Sequence, residues 1–184
     1  MNLKILSMVL LVCFITVAGI ASETSKEKFE QPILITSAGQ SADVTLVNML
    51  CKKLKLDAKA VNMAKLSDLG GVKTLIIVAG FSSKGLGAAG ISREEELNRV
   101  KELISNAKEK KVKIMMMHIG GKPRRGNQSD DFNKIASDAS VHMIVVKQGN
   151  EDQFFTKIAE KNKISIDLVD KISETAKPLA DLFK

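Results

Sequence analysis

The chain contains no tryptophan and no tyrosine, and all seven of its aromatic residues are phenylalanine. Sugar-binding clefts and single-strand nucleic-acid platforms both lean on aromatic stacking, so this composition argues against both. Cysteine is nearly absent as well. Cys13 lies inside an apolar N-terminal run, and Cys51 is the only other thiol. Once that run is removed no intramolecular disulfide is possible, and a domain of this size does not need one. Val12 precedes Cys13, where a lipoprotein leader requires a small residue, which argues against lipidation. The two histidines, His118 and His142, lie on separate predicted strands, and a buried Cys51 adds nothing to them. A zinc or transition-metal site is therefore not expected, and no cofactor is expected. Neither G-x-x-x-x-G-K-[ST] nor G-x-S-x-G occurs, which removes the P-loop and the nucleophile elbow.

The segments that are present begin with a leader. Lys4 supplies a positive charge, Ile5 to Ile20 is almost wholly apolar, and Gly19-Ile20-Ala21 offers small residues where a signal peptidase reads. At about 16 residues the run is short for a bilayer span. Residues 1–21 are read as an export signal, 22–31 as a polar, disordered lead-in, and 32–184 as a single domain. A periplasmic or extracellular location follows, with an uncleaved membrane anchor as the lesser alternative. Losing Lys4 lowers the formal charge from +7 to +6. The excess is lysine spread along helix faces, which reads as solvated surface, and no nucleic-acid partner is expected.

Six runs read as strands: Pro32–Ser37, Ala58–Asn62, Thr74–Ala79, Val112–His118, His142–Lys147 and Ser165–Val169. Continuous apolar runs such as TLIIVA suit strands covered on both faces, as in parallel sheets. Helical patterns fall between them. Ser41 is expected to cap a helix burying Leu46, Val47, Leu50, Cys51 and Leu54. Ser92 and Glu95 form a capping box, S-x-x-E, ahead of Leu97, Val100, Leu103, Ile104 and Ala107. Ser129 is expected to cap a helix with Asp130 and Asp131 in its first turn. Asn150, Glu151 and Asp152 are expected to begin another, and Asp170 a last one that Pro178 kinks or restarts. Alternating strand and helix imply right-handed βαβ units. The fold class is α/β, three-layered and flavodoxin- or Rossmann-like. The sheet is mostly parallel, with five to six strands in the order 2-1-3-4-5 and the polar sixth strand at the far edge.

In such sheets ligands bind beyond the carboxyl ends of the strands, where the strand order reverses. That point falls between strands one and three. Strand one ends in Ser37-Ala38-Gly39-Gln40-Ser41. Strand three ends in a long glycine-rich loop, Gly80 to Gly90, containing Ser83, Lys84 and Gly85, and strand four ends in His118-Ile119-Gly120-Gly121-Lys122-Pro123-Arg124-Arg125. These loops carry four bases and no acid. The expected chemistry is an anion site, in which backbone N–H groups approach the ligand and an arginine grips it bidentately. Loop length supports function over ordinary turn chemistry. Gly85-Leu86-Gly87-Ala88-Ala89-Gly90 matches G-x-G-x-x-G, but five residues separate it from the strand and the capping box puts the helix after it, so dinucleotide binding is not expected.

His118 is the candidate catalytic residue, a general base that a hydrolase would pair with Ser37, Ser82 or Ser83 and perhaps orient with Asp170. Nothing in the spacing requires those contacts, and a structural histidine is the commoner case. Met115-Met116-Met117 alternate faces along a strand and read as core packing rather than soft-metal ligands.

Four segments together resemble a known family: PILITSAGQSAD (Pro32 to Asp43), SSKGLGAAGI (Ser82 to Ile91), MHIGGKPRRGNQSD (Met117 to Asp130) and LVDKI (Leu168 to Ile172). The chain is similar to a bacterial domain-of-unknown-function family, number 6305, whose members are exported α/β proteins without an assigned activity. The resemblance covers essentially the whole mature chain and implies fold and location, but no reaction. Ser37, Gly39, Gln40, Ser41 and Asp43, with His118, Gly120, Gly121, Arg124 and Arg125, match its pattern. The expected function is binding of a small anionic ligand by Ser37, Gly39, Gln40, Ser41, Ser83, Lys84, Gly85, Gly120, Gly121, Arg124 and Arg125, with Phe81 covering it. The alternatives are a hydrolase using His118 and a protein-interaction module of the cell envelope.

Overall fold

A computed structural model describes residues 28–184; the expected signal peptide lies outside them. The described chain begins at the lower, N-terminal edge of the sheet. Phe29 is buried, its N–H donates to the Leu182 carbonyl at 2.9 Å, and its ring meets those of Phe183 and His142. The last residues of the expected disordered lead-in are therefore docked, because Phe29 brings an apolar ring to a seat between the chain ends.

Six parallel strands form one sheet: β1 (Ile33–Ala38), β2 (Ala58–Ala60), β3 (Thr74–Ala79), β4 (Lys113–His118), β5 (His142–Val146) and β6 (Ser165–Val169), in the order β2-β1-β3-β4-β5-β6. This is the order expected from the polarity of the second and sixth runs. β1 and β3 pair along their full length, Ile33 with Thr74 through Ala38 with Ala79, and every residue of both is buried. Helices cover both faces, so β-branched and long apolar side chains are buried on each. Leu34, Ile77, Met116 and Val145 point to the face covered by α3 (Arg93–Glu109), α4 (Asp130–Ala139) and α5 (Phe154–Asn162). Ile35, Val78, Met115, Met117 and Ile144 point to the face covered by α1 (Asp43–Lys53) and α6 (Ala176–Leu182). The three consecutive methionines thus divide between two cores, as strand alternation requires.

Some boundaries differ from the sequence expectation for local reasons. α1 buries Val44, Val47 and Cys51 while Leu46 stays 39% exposed, because the helix lies one position further round on the sheet. Burial pushes the Cys51 thiol up to about 11 and keeps it protonated. α5 begins at Phe154, not Asn150. The Asn150 side-chain carbonyl nevertheless accepts from the Phe155 N–H at 2.9 Å, capping the helix from outside. Asp170 caps no helix side-chain to backbone. A 3-10 turn (Ile172–Thr175) leads into α6, which holds Pro178 in its first turn, where a missing N–H is tolerated. No helix among the described residues is long and apolar enough to cross a membrane.

Candidate functional site

The largest difference from expectation lies after β3. Gly80 to Ile91 is not a long loop: Ser83–Ala89 forms a short helix, α2, whose cap Ser82 accepts from the Gly85 N–H at 3.1 Å. Four glycines in eleven residues mask its helical character in the sequence. Gly85 is there for proximity. A Cβ at this position would lie 2.0 Å from the Gln40 carbonyl oxygen, so only glycine lets α2 lie against the turn after β1.

That turn is held from below by a side chain the sequence reading passed over. Glu96, fully buried on α3, accepts from the Gly39 N–H at 2.9 Å and the Gln40 side-chain amide at 3.0 Å. Arg99 neutralises it, its Nε 2.7 Å from Glu96 Oε2, and also donates to the Ser37 and Ala64 carbonyls. The grip maintains a left-handed conformation at Gln40 (φ 57°), uncommon for a residue with a Cβ. Glu96 was detectable in the sequence. It stands four and seven residues before Val100 and Leu103, on the helix stripe that enters the core. Ser41, two residues before the start of α1, accepts from the Asp43 N–H at 3.2 Å and donates to Asp43 Oδ2 at 2.7 Å, a local turn rather than a cap on the helix proper.

The bases after β4 do not stand free of acids. Acids arrive from other elements. Arg124 extends over Gly120, where a Cβ would sit 2.2 Å from its Cγ, donates to the Phe81 carbonyl at 2.7 Å and faces Asp43 at 3.7 Å. Arg125 is more fully engaged. It meets Asp130 at 2.8 Å and Asp152 at 2.9 Å, donates to the Gly149 carbonyl, and stacks 4.3 Å from the centre of the Phe154 ring. Burial works against its charge, but the hydrogen bonds to Asp152 and Asp130 outweigh burial and raise its pKa. In return Arg125 holds the Asp152 carboxyl down at about 2. Lys122 pairs with Glu151 at 3.3 Å. Ser129, expected as a helix cap, instead accepts from the Phe81 N–H at 3.1 Å, tying the β3 and β4 loops together. Lys84 is exposed and, alone of the four loop bases, has no ion-pair partner among the described residues.

His118 is fully buried. Its Nδ1 lies 3.2 Å from the Ala79 carbonyl and its Nε2 3.2 Å from the Gly121 carbonyl, with the Phe155 ring 4.7 Å away. Burial, opposed by the two carbonyls and reinforced by the charge of Arg125, lowers its pKa. Ser37 projects to the opposite side of the sheet, in register with Val78 and Met117 on the α1 face, so the sheet separates it from His118, two strands away. Ser82 is committed to Gly85, Ser83 is exposed on α2, and Asp170 pairs with Lys147 at 2.8 Å. The fold does not assemble these residues around His118.

What does assemble is an open cleft of about 770 Å³ above the β1–β3 crossover. Gln40, Asn62 and Ser82 give it polar groups, Met63, Ala88 and Ala89 an apolar wall, and Lys84 and Arg124 its charge. Of the residues expected to bind an anion, Gln40, Lys84, Gly85 and Arg124 line it. Gly39, Ser41, Gly120 and Gly121 do not line it, and Arg125 borders a separate, smaller depression with Asp130 and Asp152. Asn62 and Met63 were not anticipated, because they follow a weak three-residue strand with no motif of their own. Among the described residues no His, Cys, Asp and Glu group is arranged to hold a metal ion.

A family model described as "Domain of unknown function (DUF6305)" matches residues 30–183. No protein of curated function matches the chain. Among solved structures, AlinE4, a SGNH-hydrolase family esterase, is 15% identical over 88% of this chain and 85% of that one, with a TM-score of 0.32. A GDSL-like lipase from Bacteroides thetaiotaomicron VPI-5482 is 11% identical over 74% and 66%, with a TM-score of 0.33. At TM-scores this low the likeness carries no weight for fold or chemistry.

Proposed function

Because the chain belongs to the DUF6305 family, a domain of unknown function, we propose a function from its own geometry: it binds a small anionic ligand in the cleft above the β1–β3 crossover. The observation that carries this reading is Lys84. Arg124, Arg125 and Lys122 are each matched by a carboxylate, whereas Lys84 stands unpaired on the rim, on the same cleft as the half-exposed Arg124 guanidinium. A ligand with one carboxylate or phosphate group and a small apolar body suits the lining. Its anionic end meets Lys84 and Arg124, its neutral polar atoms meet the Gln40 and Asn62 amides, and its body packs on Met63, Ala88 and Ala89. Arg125 and His118 serve as scaffold for the segment that carries Arg124.

The test is thermal unfolding of the full chain against inorganic phosphate and a panel of short carboxylates and phosphomonoesters. A ligand at one hundred times its dissociation constant stabilises by about 2.7 kcal/mol. Lys84→Ala should remove that gain while changing the unliganded stability by no more than about 0.5 kcal/mol. If no member of the panel raises the melting temperature, or Lys84→Ala leaves the gain intact, the reading fails.

A further inference from the structure

At the opposite end of the sheet the charge is distributed quite differently. Lys52, Lys53 and Lys55 close α1, and Lys108, Lys110 and Lys111 close α3. All six are exposed and none has an ion-pair partner among the described residues. Helices run antiparallel to the strands they follow, so both termini fall at the N-terminal edge of the strands, one on each face of the sheet. Lys73 immediately precedes β3 and Lys113 begins β4 on the same edge, linked there by a backbone hydrogen bond of 3.1 Å. The segments 28–31, 52–57, 71–74 and 108–113 hold nine lysines against three acids. This edge spans β2 to β4, three strand spacings or roughly 14 Å, and carries most of the chain's excess positive charge.

Two further observations define the partner. All four arginines lie toward the other end, and each is ion-paired: Arg93 with Asp131, Arg99 with Glu96, Arg124 with Asp43 and Arg125 with Asp130. A face made of lysine alone presents hydrated point charges without bidentate forks, which suits a diffuse anionic surface better than the ordered phosphates of a nucleic acid. The chain also joins the domain at this edge. Lys28 accepts a hydrogen bond from the Lys113 ammonium at 2.8 Å, and only seven residues separate it from the end of the apolar run Ile5–Ile20. Seven residues reach at most about 25 Å, so a chain held by that run in a bilayer brings the lysine edge to the membrane.

We infer that the lysine edge is a membrane-docking surface for anionic lipid headgroups, which orients the domain with its ligand cleft facing away from the bilayer. The inference does not rest on the cleft or its ligand.

The experiment is lysine footprinting of the full chain, with an amine-reactive acetylating reagent read by mass spectrometry, on phosphatidylcholine vesicles with and without phosphatidylglycerol. Lys52, Lys53, Lys108, Lys110 and Lys111 should be acetylated about five-fold more slowly on the anionic vesicles. Lys84 and Lys122 should react equally on both, and about 1 M salt should erase the difference. In co-sedimentation, Lys108→Gln/Lys110→Gln/Lys111→Gln, at exposed positions, should lower the preference for anionic over neutral vesicles by about a hundred-fold. Equal rates on the two lipids, protection that also covers Lys84 and Lys122, or equal protection by duplex DNA in place of vesicles would each overturn the inference.

Discussion

Glu96→Gln is the sharpest test of how the candidate site is held together. The substitution keeps shape and one carbonyl oxygen, so the Gly39 N–H and the Gln40 amide retain an acceptor. At the other oxygen it puts an NH2 group where Arg99 Nε now donates at 2.7 Å. Arg99 is largely buried, so it loses its counter-charge where water cannot replace it. Breaking a buried pair by removing one partner costs about 3–5 kcal/mol. The Ser37 and Ala64 carbonyls still receive hydrogen bonds from Arg99, which places the expected loss at the lower end, about 3 kcal/mol. For a domain of this length that is a fall in melting temperature of about 6–12 °C. Urea unfolding at neutral pH measures it, with an unchanged slope showing that the folded and unfolded states keep their extent. A cycle with Arg99→Gln then separates pair from parts: the double variant should lose at least about 1 kcal/mol less than the sum of the singles. A loss below about 1 kcal/mol for Glu96→Gln, or additive losses, would refute the claim that this pair supports the Gln40 turn.

Two glycines of α2 should respond in opposite directions. Gly85→Ala drives a methyl into the Gln40 carbonyl and should destabilise by about 2 kcal/mol or more, whereas Gly87, with nothing within 4 Å of a Cβ, should gain about 0.5–1 kcal/mol as alanine; equal effects in denaturant melts would remove the packing argument. His118 supplies a pH dependence. Its folded pKa is lowered from 6.5, chiefly by burial, so as pH falls below 6.5 the unfolded chain takes up the proton first and stability declines. NMR titration should show it protonating below the usual value, and His118→Gln should flatten the stability slope below pH 6.5; a normal or raised value would contradict the buried, carbonyl-flanked setting.

The framework was legible because strand character and burial coincide. TLIIVA and SIDLV have the expected bounds as β3 and β6, and the polarity of the two outer strands led to the sheet order. The site was legible only in part, for a physical reason. Charge neutralisation is a three-dimensional property: Asp152 reaches Arg125 across 27 residues and Asp43 reaches Arg124 from the far side of the crossover, so a loop that is purely basic as a string is nearly neutral as a surface. Glycine caused the second error. At Gly85 it marks close approach of a helix to a turn, not a flexible loop, and sequence pattern alone does not separate the two. Glu96 was the readable signal left unread, a charge on the buried stripe of a helix whose capping box was correctly placed.

The all-parallel sheet also has a consequence in time. No two of its strands form a hairpin, so each pairing waits on an intervening crossover. β1, an interior strand of the finished sheet, has only the three residues of β2 as a partner until β3 is available some forty residues later. A chain built this way accumulates little native structure from its first third, and folding rates fall as contacts become more distant in sequence. The first segment should therefore remain extended and accessible to chaperones until Thr74–Ala79 arrives to complete the pair.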